Sequence, residues 1–250
     1  MPLPRAQRLL PATPLVLLAV TWLDGSASAV RVPGGQALAD GLTLAFWALV
    51  LLGASPRLRR LLVLGLVAAT AGEVIFSLGL GMYRYRLARI PLYVPPGHTL
   101  LYATVFVFVR ARAVRRQAGW LAPALMLAAT AYSLAWFRAA HDVFGLACFG
   151  AFALLWWVRR EARLFFAAMY LLVAFLEQCG TRFGAWRWPG LLFGRVAGCP
   201  SGNPPSGVAL FYVLFDLACL ALYFGVRWES FERWASRLVF RRASVVAARR

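Results

Sequence analysis

Eight mostly apolar runs, seven of about twenty residues and a shorter fourth, fill the chain between Pro11 and Val226, separated by short segments rich in arginine, proline and glycine. A helix needs about 20 such residues to cross the hydrocarbon of a bilayer. The runs are roughly Pro11–Ala29, Gln36–Ala54, Leu61–Tyr83, Gly97–Val109, Gly119–Phe137, His141–Val158, Leu164–Gly184 and Gly207–Val226. Of the 250 residues, 62% are hydrophobic and 14% charged, against roughly 45–50% and 25% in soluble domains. No single water-soluble core could bury that much apolar surface. The expected fold is all-α, a polytopic membrane bundle of about eight transmembrane helices. The formal net charge of +18 therefore belongs to membrane flanks and does not mark a nucleic-acid partner.

Arginine placement sets the expected orientation. With the N-terminus in the cytoplasm, nineteen of the 27 basic residues fall on the inner side and eight on the outer, as the positive-inside rule requires. This predicts a multi-pass protein of a bacterial cytoplasmic (inner) membrane with both termini inside. Residues 1–29 also imitate a secretory signal peptide, with Arg5 and Arg8, an apolar run and small residues at Ser26–Ala29; cleavage there would leave seven spans. Residues 227–250 read as a basic amphipathic tail lying on anionic lipid.

The chain resembles itself. Glu73, then Gly81-Met82-Tyr83-Arg84-Tyr85, Pro95-Pro96-Gly97 and Tyr102, is matched by Glu177, Gly184-Ala185-Trp186-Arg187-Trp188, Pro204-Pro205-Ser206-Gly207 and Tyr212. Asp40 matches Asp142, Arg59 matches Arg163, and Pro14 with Thr21 matches Pro123 with Thr130. Six matches in one order predict two parallel four-helix repeats, residues 1–116 and 117–226, related by an axis along the membrane normal. The Pro-rich loops 90–98 and 189–207 should cover the outer mouth, because irregular backbone is tolerated near the bilayer only when protein or a wet cavity shields it.

Charges inside apolar spans are expensive and mark function by default. Glu73, Glu177 and Asp216 are the informative ones, with Asp216 matched in the first half only by Phe106. At 1.5 Å per residue, Glu73 lies about 15 Å below the Tyr83 end of its helix and Asp216 about 13 Å below Gly207, so all three fit one depth. Carboxylates that meet in low dielectric hold a proton between them, which suits acid–base work, proton coupling or cation binding. The competing reading makes them packing groups bonded to neighbouring helices. His98 opens the fourth span beside that site, where an imidazole can move protons near neutrality.

His141 and Asp142 at the start of the sixth span serve either ligand binding or helix capping. Arg84, Arg86 and Arg187, with Tyr102, Tyr212 and Asn203, are the candidate substrate-binding residues; an arginine fork matches phosphate or carboxylate, so an anionic headgroup is the expected handle. The aromatic residues of the outer loops also fit the ordinary interfacial belt. No lysine occurs and only two histidines, which excludes Schiff-base chemistry and His-rich metal sites; no metal and no cofactor are expected, and no nucleotide-binding fingerprint is present. Cys179 and Cys199 lie where a bridge could close the loop containing Trp186, with two free thiols as the alternative.

The functional expectation is an integral membrane enzyme acting on a lipid or isoprenoid in the outer half of the bilayer, with Glu73, Glu177, Asp216 and His98 as the catalytic set. A proton- or cation-coupled transporter using the paired glutamates, or a non-catalytic membrane scaffold, are the alternatives. A cavity closed below by packed side chains separates the enzyme from a transporter, which needs a path to both faces.

Overall fold

The computed structural model describes residues 8–224. It is mostly helical, and the order of its principal helices is α1 (Thr13–Leu23), α2 (Gly35–Gly53), α3 (Pro56–Glu73), α4 (Val94–Phe108), α5 (Arg112–Ala140), α6 (Val143–Val158), α7 (Arg163–Phe183) and α8 (Ala209–Phe224). Each apolar run thus contains a helix. Among the described residues four helical stretches are long and apolar enough to cross a membrane, Gly35–Gly53, Pro56–Gly79, Arg112–Ala140 and Arg160–Phe183. The helices of the other four runs are apolar but shorter, at 10–17 residues. These features mark a membrane protein. The expected amphipathic tail, residues 227–250, lies outside the described residues.

Local chemistry explains the helix ends. Ser55 caps α3 by accepting from the Leu58 N–H, with Pro56 in the first turn, where its missing N–H costs nothing. Asp142 caps α6 through the Gly145 N–H at 3.0 Å. Gly184 ends α7 with φ +76°, a left-handed conformation that a residue without Cβ adopts freely. Past Glu73, α3 continues as a π-helical stretch, Val74–Gly79. Such wide turns are rare and frequently sit at functional sites.

Helix α7 is the centre of the bundle and packs against α1, α4, α5, α6 and α8. Its Phe166, Met169, Tyr170 and Val173 are almost fully buried. Helix α3 packs against α4 and α8, and α2 lies against α1 and α4. Leu15, Leu52, Val67, Leu127, Leu154 and Trp157 remain exposed on the outside. An apolar exterior over a tightly packed interior is the pattern a lipid solvent selects.

At one end, the two Gly-x-aromatic-Arg-aromatic segments meet. Strands β1 (Arg84–Tyr85) and β2 (Trp186–Arg187) pair antiparallel, with Arg84 opposite Arg187 and Tyr85 opposite Trp186. The neighbouring loops are fixed by three acids, Asp24 and Asp142 buried and Asp40 half-buried. Asp24 receives the Arg86 guanidinium at 2.8 Å and the Tyr93 hydroxyl at 2.9 Å. Asp40 accepts the Tyr93 N–H at 2.9 Å. Asp142, besides its cap, accepts the Gly202 N–H at 2.7 Å and the Ser206 N–H at 2.6 Å. All three clamps satisfy backbone or charge that buried loops would otherwise leave unpaired. All four cysteines are free thiols, so Cys179 and Cys199 form no bridge.

Candidate functional site

Glu73 and Glu177 sit on α3 and α7 with relative exposures of 2% and 3%. A buried carboxylate must be hydrogen-bonded to be tolerated, and each of these accepts three donors. Glu73 Oε2 accepts the hydroxyls of Tyr83 and Tyr85, both at 2.8 Å, while its Oε1 lies 3.1 Å from His98 Nε2. Glu177 Oε2 accepts the indole N–H groups of Trp186 at 2.9 Å and Trp188 at 3.0 Å, and its Oε1 accepts the Tyr212 hydroxyl at 2.8 Å. Indole N–H can only donate, so Glu177 Oε2 is an acceptor whatever the surroundings.

Sequence spacing produces this arrangement. Each glutamate lies about three turns before an aromatic-Arg-aromatic segment; the chain leaves the helix, reverses, and hangs both aromatics back over the carboxylate while the arginine between them points out. Arg84 and Arg187 are accordingly exposed and Tyr85, Trp186 and Trp188 buried. Gly180 makes room: a Cβ there would collide with the Trp186 ring.

Two ring pairs, one tilted and one stacked, join the halves into a circuit. The Tyr83 ring lies 4.7 Å from the Trp188 ring, linking a Glu73 donor to a Glu177 donor. His98 stacks on Tyr212 at 4.5 Å with an interplanar angle of 24°, linking the opposite sides of the same two carboxylates. Burial first, and then the Glu73 carboxylate, push the Tyr83 and Tyr85 hydroxyls well above their ordinary range. They therefore stay protonated and act as permanent donors.

This circuit lines a partly open cleft with about 50 Å³ accessible to water. Leu17, Val20, Phe76, Met82, Leu176, Val208 and Phe211 supply apolar walls. His98, Tyr212 and Phe215 also line a second, smaller cavity. That lower space is bounded by residues lying further along α3, α4 and α8 from the ribbon, including Ala68, Tyr102, Asp216 and Cys219.

The structure therefore brings Glu73, Glu177, His98 and Tyr212 to one cleft and leaves Asp216 and Tyr102 in the adjoining cavity. The other candidates lie apart from both. Arg84 and Arg187 are on the outer face of the ribbon. Arg86 is held by Asp24. Asn203 accepts the Trp188 N–H at 2.8 Å and so positions a Glu177 donor. Asp142 is a fully buried loop clamp, and His141 is exposed at the α5 terminus with φ +51°. Sequence reasoning assigned Tyr83, Tyr85, Trp186 and Trp188 to the turn and the interfacial belt; the signal for their role was the near-equal distance of each pair from its glutamate. It passed over Asp24, Arg86 and Tyr93 as a unit because the partners of Asp24 come from a loop about sixty residues on. Among the described residues no group of three His, Cys, Asp or Glu is placed to hold a metal ion. Compared with known protein families, curated proteins and solved structures, the chain finds no match.

Proposed function

We propose that this protein is an integral membrane enzyme that performs acid–base chemistry on a lipid or isoprenoid substrate in the cleft between Glu73 and Glu177. The observation that carries the reading is the Glu73–His98 pair, 3.1 Å apart, in the wall of an otherwise apolar and aromatic cleft. A carboxylate that accepts from one imidazole nitrogen fixes the ring and stabilises its charged form, the relation that makes histidine an efficient proton donor and acceptor. In the proposed reaction His98 transfers the proton. Glu73 orients it, held in turn by two tyrosine hydroxyls. Glu177 contributes a fixed negative charge, and aromatic faces accommodate developing positive charge. An isoprenoid double bond or allylic carbon is the kind of centre that needs this combination. Arg84 and Arg187, side by side on the ribbon, are where an anionic headgroup would be met.

We infer also that the bundle is an eight-span tandem duplication. In its support, Arg84 and Arg187 occupy matching positions in the two segments and face each other across β1–β2, as a local two-fold axis requires. Each repeat glutamate takes both aromatics of its own segment. Asp40 and Asp142 each clamp backbone N–H groups of the Pro-rich loop in their own half. The halves differ in how their first helices pack, since α1 and α5 both lie on α7.

A proton-coupled carrier is the second reading, favoured by the stacking of two cavities along α3, α4 and α8. The experiment is a comparison of membranes containing the wild type, Glu73→Gln or His98→Gln by untargeted lipid mass spectrometry, followed by conversion of any altered lipid with purified protein in nanodiscs. The enzyme reading expects a lipid product made by the wild type and lost in both variants at equal folded yield. No wild-type-dependent lipid change, together with proton flux in proteoliposomes abolished by both variants, would replace it with the carrier.

A further inference from the structure

The lower cavity holds two polar atoms that the fold leaves without partners. Asp216 Oδ2 and the Tyr102 hydroxyl are both buried and make no hydrogen bond to protein. Their residues are 8% and 5% exposed, and both line the same space. Orphans of this kind are rare, because an unsatisfied buried polar group costs about 1–3 kcal/mol, and more if charged. Two in one cavity point to something that occupies it. The cavity encloses about 20 Å³ accessible to water, and one water needs about 10–15 Å³ with two or more polar partners. The space therefore fits a water and no organic ligand.

His98 forms the shared wall. Its Nε2 is engaged by Glu73, it lines the lower cavity as well as the upper, and its Nδ1 makes no hydrogen bond to any described residue. The groups facing Asp216 across the lower cavity are His98 and Tyr102 from α4 and Tyr212 and Cys219 from α8, while α3 presents Leu61, Gly65, Ala68 and Ala69, none of which titrates. No arginine lines the cavity. An isolated buried carboxylate with no cation beside it neutralises itself by taking up a proton.

We propose that the lower cavity is a hydrated proton store in which a water bound to Asp216 and Tyr102 exchanges protons between Asp216 and His98. The transfer balances in simple steps. An imidazolium His98 gives its Nδ1 proton to the water, and the water gives one of its own to Asp216 Oδ2. The imidazole is then neutral with Nε2–H still on Glu73, and the carboxylate has become a carboxylic acid; the reverse sequence recharges His98. Tyr102 fixes the water and is neither donor nor acceptor in the net step. The inference rests on the reading of His98 as the group that moves protons in the cleft, and it makes Asp216 its supply from the side away from substrate.

The test needs no substrate, so it can fail independently of that reading. Infrared difference titration of the full chain in nanodiscs is run on the wild type, Asp216→Asn, Tyr102→Phe and His98→Gln. The expected result is a carboxylic acid C=O band that disappears in Asp216→Asn, exchanges on transfer to D2O without unfolding, and shifts in Tyr102→Phe. Its titration midpoint should move by about one pH unit or more in His98→Gln, a tenfold change in proton affinity. If Asp216→Asn fails to fold, Asp216→Glu serves in its place and should move the band. A band that does not exchange means a dry cavity, and a midpoint unmoved by His98→Gln means no exchange with the imidazole. Loss of the band on adding sodium at constant pH means a cation site. Each of these outcomes overturns the proposal.

Discussion

Replacing Glu73 with glutamine should reverse which nitrogen of His98 carries the hydrogen. In the wild type Glu73 Oε2 accepts two tyrosine hydroxyls and Oε1 lies 3.1 Å from His98 Nε2; an ionised carboxylate can only accept, so beside ionised Glu73 Nε2 is the donor. A glutamine has one oxygen to offer. Turned toward Tyr83 and Tyr85, that oxygen keeps both hydroxyls satisfied and presents its NH2 to His98. Nε2 must then accept, and the ring hydrogen moves to Nδ1. Turned the other way, the amide would keep Nε2–H but strip two buried hydroxyl hydrogens of their acceptor, at about 1–3 kcal/mol each. The first arrangement is favoured by about 2 kcal/mol or more, roughly thirtyfold in population. Weakening three charge-assisted hydrogen bonds to neutral ones costs about 3 kcal/mol, offset by no longer burying a charge; unfolding should therefore change by no more than about 2 kcal/mol. Turnover should fall by about 10²–10⁴ if His98 is the acid–base group. Nitrogen NMR of histidine-labelled protein reads the tautomer directly, and the chain has only two histidines, with exposed His141 as the internal reference. A Glu73→Gln spectrum that retains Nε2–H on His98, or turnover near wild type, would refute the reasoning.

Other perturbations reach the rest of the circuit. Trp186→Phe and Trp188→Phe each remove an N–H donor from Glu177 Oε2 and should each destabilise by about 1.5–3 kcal/mol in thermal denaturation; if both are neutral, the carboxylate is not held by these indoles. Gly180→Ala should displace the Trp186 ring and destabilise by about 1–3 kcal/mol, whereas Gly150→Ala, with open space around it, should not; equal effects would discount the fit of Trp186 against α7. Asp24→Ala leaves Arg86 facing a site with no counter-charge and should lower stability by about 3–5 kcal/mol, with part recovered in Asp24→Ala/Arg86→Met, as a double-mutant cycle measures. Tyr83, Tyr85 and Tyr93 are pushed well above the ordinary 10.0, first by burial and then by a neighbouring carboxylate. A raised folded value keeps their contribution intact below pH 10.0 and removes it as pH rises beyond. Stability against unfolding should therefore fall steeply above that pH, and less steeply in Tyr83→Phe; stability flat through the alkaline range contradicts their burial.

The helices were legible because a lipid solvent writes itself into sequence as long apolar runs, and every such run contains a helix. Lengths were less legible: Thr13–Leu23 falls short of the run Pro11–Ala29 and Arg112–Ala140 extends past both ends of Gly119–Phe137, whereas Val94–Phe108 and Val143–Val158 lie close to the runs read for them. Glu73, Glu177 and His98 were found together since intramembrane charge is expensive and therefore conspicuous. Asp216 was expected in the same space but lies one cavity further, because depth along a helix is readable at 1.5 Å per residue while its azimuth against two neighbours is not. The donors on each glutamate were written as local spacing, yet looked like an interfacial belt, since belts and carboxylate cages use the same aromatic residues. Asp142 read equally as cap or ligand contact; the Gly202 and Ser206 N–H groups that decide its role come from about sixty residues away.

The four-residue ribbon imposes a rule of parity on the chain. Alternate residues of a strand face opposite ways, so a slip by one residue exchanges everything inside for everything outside. Here that exchange would turn Arg84 and Arg187 onto the carboxylates and expel the aromatic rings that cage them. A slip of the pairing by one residue would thus invert the chemistry of the cleft. The connection that precedes each segment is free of that rule: the aromatic pair begins ten residues after Glu73 but nine after Glu177, and both cages turn their rings inward. Sequences built on this plan should accordingly vary in the loop between glutamate and cage while keeping the aromatic-Arg-aromatic alternation, which becomes the mark for recognising them.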